Sequence, residues 1–174
     1  LPCWLHKCKE SIKEQSFQDF DIFELDYGSG TNRIFEGVRP KYNHFGMPMN
    51  NHIEAMNFLI SLAFKHGYDV VFNINVDDYY HPQRFEKQLQ AIEGGAQLVS
   101  SNFYYVNDRD AITKKMDMVM HGDIGQNLSI DHNVIAHPCV AMHKDFWDDD
   151  LHYENLLGFE DLELWQRGHA KGKK

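Results

Sequence analysis

The chain has 174 residues, of which 43% are hydrophobic and 13% aromatic, and its formal net charge is −9. These values predict a single folded domain over residues 1–174 and exclude a disordered tail. The excess of acid argues against nucleic acid as a partner, because contact with phosphates needs clustered Lys and Arg.

The first predicted elements are short. Residues 1–4 (LPCW) are interpreted as the end of a buried strand, and residues 11–15 have a helical pattern. Residues 20–25 alternate in hydrophobicity, which predicts a strand that ends at Asp26. A loop punctuated by glycine, residues 27–31, follows this strand. Residues 1–4 begin in mid-strand and the basic tail, residues 169–174, breaks off without a stop signal, so truncation of the domain at both ends is an expectation.

The next predicted helix carries a capping signal at its start. Asn50 and Asn51 are candidate caps, and Glu54 stands three residues after Asn51, as in a capping box. The helix is expected to stop at Gly67. It carries apolar residues at helical spacing, namely Ile53, Met56, Ile60 and Phe64.

Residues 69–76 (DVVFNINV) are rich in β-branched side chains and are predicted to form a buried central strand that runs into Asp77 and Asp78. Pro82 suits the first turn of a further helix, which two glycines close. The apolar residues of that helix are Phe85, Leu89 and Ile92, and its closing residues are Gly94 and Gly95.

A further strand is predicted over residues 97–105, and a last helix over residues 160–167 with Leu162 and Trp165 on one face. The alternation of strands and helices predicts an α/β fold with a mainly parallel, Rossmann-like sheet flanked by helices.

Three cysteines without zinc-site spacing predict free thiols in a reducing compartment, which favours a cytoplasmic location. They are Cys3, Cys8 and Cys139. The longest apolar stretch, residues 58–64, is too short to span a membrane. We therefore expect no transmembrane segment, with peripheral attachment to a membrane left open.

Acidic residues follow two of the predicted strands. Asp26 ends the first, and Asp77 and Asp78 end the second. Ligands of open α/β sheets bind outside the carboxyl ends of the strands, where these carboxylates could hold Mn²⁺ or Mg²⁺ against a diphosphate. The alternative is that Asp77 and Asp78 only begin a turn, since Asp is common in turns.

A second group of acids precedes and opens the last helix. Glu160 and Asp161 could be simple caps that complement the helix dipole. A carboxylate directed into a cleft could instead take a proton from an attacking hydroxyl. Four histidines nearby show no repeated metal-site spacing: His121, His132, His137 and His143. Of these, His137 borders an apolar run and is expected near the cleft.

Four segments, in order, resemble glycosyltransferase family 2, the inverting family with the GT-A fold. Residues 11–20 (SIKEQSFQDF) are similar to its "SI..Q.f.df" segment, and residues 24–29 (ELDYGS) to its "vDdgS" turn. Residues 75–82 (NVDDYYHP) resemble its "DxDD...P" metal motif. Residues 158–167 (GFEDLELWQR) resemble its "g.EDyeLw.R" segment, which carries the catalytic base.

The resemblance implies roles in binding a nucleotide sugar. Asp26 would contact the base of the donor, and Asn75 would bond the ribose. Pro2 belongs to what survives of the family's opening donor-binding segment. Asp77 would bind both the donor and the divalent cation, with Asp78 as a second metal ligand.

The resemblance also implies the catalytic residues and the reaction. Asp161 would deprotonate the acceptor hydroxyl, and Glu160 is the next candidate for that role. The expected reaction moves a sugar, with inversion, from a nucleotide-diphosphate sugar to a glycan or other hydroxyl acceptor. Uracil and guanine each have a ring N–H that can donate to Asp26, and between these two bases the resemblance favours a UDP-sugar as the donor.

Three departures from the family pattern bear on the donor site. Asn75 stands where an acid is usual, and Tyr27 replaces the second acid of the glycine turn. Residues 48–50 (PMN) stand where the family has an Arg that contacts phosphate.

Two alternatives stay open. A nucleotidyltransferase is also α/β and metal-dependent, but it would need a glycine-rich basic loop after its first strand. A non-catalytic member of the same fold would bind a nucleotide sugar without turnover, and Asn75 and the missing Arg keep that alternative open.

Overall fold

The computed structural model describes residues 3–39, 41–116, 133–148, 150–156 and 158–174. The described elements, in chain order, are helix α1 (Cys3–Lys13), strands β1 (Ile22–Asp26) and β2 (Tyr42–Gly46), helix α2 (His52–Lys65), strand β3 (Val70–Phe72), helix α3 (Arg84–Glu93), strands β4 (Leu98–Val99), β5 (Phe103–Val106) and β6 (Ile112–Met116), a 3₁₀ turn (His137–Cys139), strand β7 (Ala141–His143) and helix α4 (Glu160–Ala170).

Helix α1 corrects the prediction at the start of the chain. Residues 3 and 4 are the exposed first residues of a helix and not the end of a buried strand. The reason is the helical spacing of the residues that α1 buries, which brings them onto one face. These residues are Leu5, Cys8, Ser11 and Ile12.

The prediction of a mainly parallel sheet is wrong for the described residues. Only β1 and β2 pair in parallel, whereas β7 lies between β3 and β4 and is antiparallel to both, and β5 and β6 form an antiparallel hairpin. Since β3 and β4 both run opposite to β7, they run in the same direction. The β3–α3–β4 unit is thus a parallel crossover, as its sequence predicts, with a later strand inserted between its two strands.

Strand β3 is shorter and less buried than predicted. Only Val70–Phe72 of the predicted residues 69–76 are paired, and all three are half-buried. The cause is position, since β3 lies at the edge of its sheet and not at the centre. Similarly, the predicted strand over residues 97–105 divides into β4 and β5, which belong to different sheets.

The helix predictions downstream of α1 are confirmed. Asn51 is the N-cap of α2, and its side-chain oxygen accepts a hydrogen bond from the Glu54 amide, while the Glu54 carboxylate accepts one from the Asn50 amide. Helix α3 ends at Glu93 with Gly94 as its C-cap, but Pro82 precedes its N-cap, Gln83, and does not lie in its first turn. Leu162 and Trp165 of α4 are buried.

Two hydrophobic clusters form the core. The first joins α2, β7 and α4, with Trp165, Tyr153 and Met142 among its largest buried side chains. The second packs α1 and Phe85 of α3 against the chain around Phe35. No helix in the described part of the chain is long and apolar enough to cross a membrane.

A cavity of about 500 Å³ separates β1 from β3. It is lined by residues 19–25, by residues 69–76 and by apolar side chains of α2. The lining of this cavity ends one residue before Asp26 on one strand and one residue before Asp77 on the other. The predicted site residues therefore follow its walls directly.

Candidate active site

Asp26 organises the loop that follows β1. Its Oδ2 atom accepts hydrogen bonds from the Ser29 hydroxyl, the Thr31 amide, and both the backbone and side-chain nitrogens of Asn32, at 2.8 to 3.1 Å. Its Oδ1 atom accepts one from the Gly28 amide at 2.9 Å. These donors, chiefly the Asn32 amide, hold the pKa of Asp26 well below its ordinary value. The carboxylate is therefore ionised, and Oδ1 can accept one further donor.

The loop is seated closely on the end of β2. A Cβ atom at Gly46 would lie 2.3 Å from the carbonyl oxygen of Gly30, which is closer than any real contact. Gly30 itself has φ of 73°, in the left-handed region that favours glycine. Gly30 and Gly46 thus allow the Asp26 loop to lie directly against the end of β2. From the sequence, Gly30 was identified only as a residue of a turn.

Glu24 is a buried carboxylate that the sequence analysis missed. It accepts hydrogen bonds from the amides of Ile34 and Phe35 and from the Tyr42 hydroxyl, all at 2.8 to 2.9 Å. These bonds tie β1 to β2 and to the segment between them. The alternation of β1 was the available signal, since it places Glu24 on a face that the chain covers.

Asp77 and Asp78 lie in a turn after β3, as the alternative interpretation expected. The Asp78 amide donates to the Asn75 carbonyl at 3.3 Å, and the Tyr80 hydroxyl donates to the same carbonyl at 3.1 Å. Asp77 is exposed and Asp78 half-buried. Burial, and then the charge of Asp77, raises the pKa of Asp78. Two adjacent carboxylates of which one is partly desolvated form a site that a cation would stabilise.

A buried arginine, Arg84, contacts the segments on both sides of this turn. Arg84 is 7% exposed, and its guanidinium donates to the carbonyls of Asn73 and Val140 at 3.0 and 3.2 Å. The guanidinium carbon also lies 4.5 Å from the centroid of the Tyr80 ring. Arg84 could not be predicted as a buried residue, because nothing in the local sequence distinguishes it from an exposed helical arginine.

Glu160 and Asp161 lie in the first turn of α4, but neither is its N-cap. That position belongs to Phe159, whose side chain makes no capping hydrogen bond in the described structure. The Asp161 carboxylate accepts a hydrogen bond from the Asn133 side chain at 2.8 Å and one from the Leu162 amide at 2.7 Å. Asp161 is therefore held in place by two donors, one from its own helix and one from a distant segment.

His137 connects the start of α4 with the end of β3. Its Nε2 atom lies 3.2 Å from the side-chain nitrogen of Asn73, and its ring packs edge-on against Tyr153. Burial lowers the pKa of His137, while the charge of Asp161 acts in the opposite direction. The imidazole is thus neutral at pH 7. The expectation that His137 lies near the cleft is confirmed, because it lines the cavity between β1 and β3.

The predicted site residues belong to different elements around the same cavity. Asp26 and Asp77 each follow a segment that lines it, whereas Asp161 is connected to it through His137, on whose pKa its charge acts and whose Nε2 atom lies 3.2 Å from the Asn73 side chain. Pro2, His121 and His132 lie outside the described residues.

The described residues include no group of three or more His, Cys, Asp or Glu side chains that could hold a metal ion. A hard cation commonly binds through one or two carboxylates completed by phosphate oxygens of a substrate. Asp77 and Asp78 fit that kind of site. The cavity itself is lined mainly by apolar side chains, so a charged ligand would bind at its rim.

Comparison with known proteins identifies related sequences. The sequence model of the family described as "Glycosyl transferase family 2" matches residues 2–151. A curated protein of Erwinia amylovora, the amylovoran biosynthesis glycosyltransferase AmsE, is 24% identical over 169 residues, which cover 94% of this chain. The chain spans 63% of the length of that relative. The family match includes Asp26, Asn75 and Asp77 and ends before Glu160 and Asp161.

Proposed function

The chain belongs to glycosyl transferase family 2, and on that premise we propose that it transfers a sugar from a nucleotide-diphosphate sugar to an acceptor hydroxyl, with inversion at the anomeric carbon. The observation that carries this proposal is the polar cluster between the start of α4 and the end of β3. There Asn73 and His137 link the neighbourhood of Asp161 to the strand that leads to Asp77.

Asp161 acts in this proposal as the general base. Each of its oxygens accepts one hydrogen bond and has capacity for a further donor, which would be the acceptor hydroxyl. As the acceptor oxygen attacks the anomeric carbon, its proton passes to the carboxylate of Asp161. The bond from the anomeric carbon to the diphosphate breaks on the opposite side, so the configuration inverts.

The carboxylates of Asp77 and Asp78 would hold Mn²⁺ or Mg²⁺, which would supply positive charge opposite the departing diphosphate. Asp78 favours this role because burial and the neighbouring charge of Asp77 disfavour its ionised form without a cation. Asn75 would bond the donor ribose.

Asp26 is the proposed contact to the base of the donor. Four of its five hydrogen bonds go to Oδ2, which leaves Oδ1 able to accept a ring N–H of uracil or guanine. We propose a UDP-sugar as the donor. A growing glycan is the proposed acceptor, in keeping with the role in amylovoran biosynthesis for which the Erwinia relative is named.

A non-catalytic, nucleotide-sugar-binding role is the second candidate. Asn75 in place of an acid favours it, since the cation then has one carboxylate fewer. The family assignment favours sugar transfer over the nucleotidyltransferase alternative.

The test of the proposed metal site is manganese-dependent binding of UDP to Asp77→Asn, measured by calorimetry. We expect this variant to lose the increment in affinity that Mn²⁺ gives the parent, with little change in thermal stability, because Asp77 is exposed. Asp108→Asn, in the exposed turn between β5 and β6, is the matched control. Equal manganese dependence in Asp77→Asn and the parent would contradict the metal role.

The test of turnover is release of UDP from a panel of UDP-sugars, with and without Mn²⁺. Hydrolysis that depends on Mn²⁺ would support an enzyme. Tight binding of UDP without any release from the whole panel would favour the non-catalytic role.

A further inference from the structure

The side-chain amide of Asn133 makes one hydrogen bond as an acceptor and another as a donor. Its Oδ1 atom accepts a hydrogen bond from the Ile135 amide at 3.0 Å, and its Nδ2 atom donates to Oδ2 of Asp161 at 2.8 Å. Because the backbone amide of Ile135 can only donate, the Asn133 side chain must face it with its oxygen, Oδ1. The amide group is thereby oriented with its nitrogen toward the carboxylate.

Both partners of this contact are anchored in the same hydrophobic cluster. Ile135 is 4% exposed and follows Asn133 closely, while Leu164 and Trp165 on α4 are 0% and 1% exposed. The separation between Asn133 and Asp161 is therefore set by packed core residues and not by two mobile surface side chains.

We propose that Asn133 is a positioning residue for the reaction, which holds the Asp161 carboxylate at one orientation through a hydrogen bond from its side-chain nitrogen. This inference rests on the proposed role of Asp161 as the base. The Leu162 amide holds the other oxygen, so the two donors together define the plane of the carboxylate. A donor also stabilises the ionised form, which is the form that accepts a proton.

Other charged or titratable groups face Asp161 as well. The charge of Asp161 acts on the pKa of His137 and of Tyr153, Glu160 precedes it on α4, and His52 of α2 also acts on His137. His137 is neutral at pH 7. Asn133 is thus the side chain for which the described structure shows a direct hydrogen bond to the carboxylate.

The decisive variant is Asn133→Asp, which keeps the oxygen that accepts from the Ile135 amide but replaces the donor with a second carboxyl. We expect kcat for the UDP-sugar that the parent hydrolyses fastest to fall about 10- to 100-fold at pH 7. The acidic limb of the pH–rate profile should move to higher pH, because two neighbouring carboxyls resist joint ionisation. Binding of UDP should stay at the affinity of the parent.

The matched control is Asn107→Asp. Asn107 also accepts backbone amide hydrogen bonds through Oδ1, from Arg109 and Ala111, but it lies in the exposed turn between β5 and β6. The same change of charge in the same kind of turn should leave kcat and the pH profile unchanged. If Asn133→Asp is too unstable to assay, Asn133→Ser tests the same donor, since its shorter side chain can still accept from the backbone.

Two outcomes separate this inference from the proposed function. If Asp161→Asn is inactive while Asn133→Asp keeps the kcat and pH profile of the parent, the positioning role is wrong and the base assignment stands. If Asp161→Asn is fully active, the base assignment itself fails. In the Asp161→Asn background, Asn133→Asp should cause no further loss, since the effect acts through Asp161.

A measurement without catalysis completes the test. The side-chain amide signal of Asn133 in an ¹⁵N NMR spectrum should shift as Asp161 titrates, and it should be insensitive to that titration in Asp161→Asn. An unchanged signal across the acid range in the parent would overturn the contact itself.

Discussion

At the scale of single residues, the carboxylates of the site differ in what holds them. Asp26 accepts five hydrogen bonds from its own loop, Asp161 accepts one local and one distant hydrogen bond, and Asp77 is exposed. Because Asp26 is bound by its own loop, its loss should affect stability, whereas the loss of Asp161, the proposed base, should affect turnover. The predictions for Asp161 and Asp26 follow from this difference.

Asp161→Asn should lower turnover by ~10²–10⁴-fold, the usual contribution of a positioned general base. The affinity for UDP should barely change, because the interaction is used mainly in the transition state. Steady-state kinetics on the UDP-sugar panel measures both quantities. A larger loss in Glu160→Gln than in Asp161→Asn would move the base assignment to Glu160.

Asp26→Asn should destabilise the protein at neutral pH and much less in acid. The folded-state pKa of Asp26 is depressed, so its contribution is fully present above the unfolded pKa of about 3.9 and is lost as pH falls toward the folded value. Urea midpoints at pH 7, 5 and 3 should therefore show a gap between parent and variant that narrows below pH 4. A gap that widens in acid would show that the carboxylate is not held ionised by its loop.

At the scale of secondary-structure elements, α2 is an example of a helix whose start and buried face can be predicted from the local sequence. The cap at Asn51 and the apolar spacing were visible in the sequence, and the structure confirms both. The return bond differs from a capping box, because the Glu54 carboxylate accepts from the Asn50 amide and not from the amide of Asn51. Strand β1 and its terminal Asp26 were also predicted, because alternation and a glycine turn are local signals. By contrast, the start of α1 was assigned to a strand, since the residues that α1 buries include the polar Ser11, which an apolar pattern does not reveal.

Asn51→Ala should lower the free energy of unfolding by about 1 kcal/mol, because the Glu54 amide loses its side-chain partner at the start of α2. Chemical denaturation measures the change. Gln90→Ala removes an amide side chain from an exposed position inside α3 and should be close to neutral. Equal effects of the two substitutions would mean that the cap contributes nothing specific.

At the scale of the whole molecule, the candidate site lies between two hydrophobic clusters. Asp161 stands on the cluster of α2, β7 and α4, whereas Ile74 and Val76, which lead to Asp77, pack against the cluster around α1 and Phe85. A ligand that contacts both Asp77 and Asp161 would link the two clusters. Its binding should therefore raise the free energy of unfolding of the whole domain.

UDP with Mn²⁺ at about 100 times its dissociation constant should stabilise the fold by about 2.7 kcal/mol. For a chain of this length the expected rise in Tm is on the order of 5–10 °C. A thermal-shift panel should rank UDP with Mn²⁺ above UDP alone and above ADP with Mn²⁺. A higher Tm with ADP would remove Asp26 from its role in reading the base.

The elements whose causes are local could be predicted from the amino-acid sequence. Helices α2, α3 and α4, strand β1 and the acids that follow β1 and β3 are set by side-chain period, caps, glycine and proline, all within a few residues. The position of β7 between β3 and β4, by contrast, depends on tertiary packing. Tertiary packing also brings Asn133 to Asp161 across 28 residues and Asn73 to His137 across 64. Such contacts depend on how distant segments share one core, and no local pattern encodes that geometry.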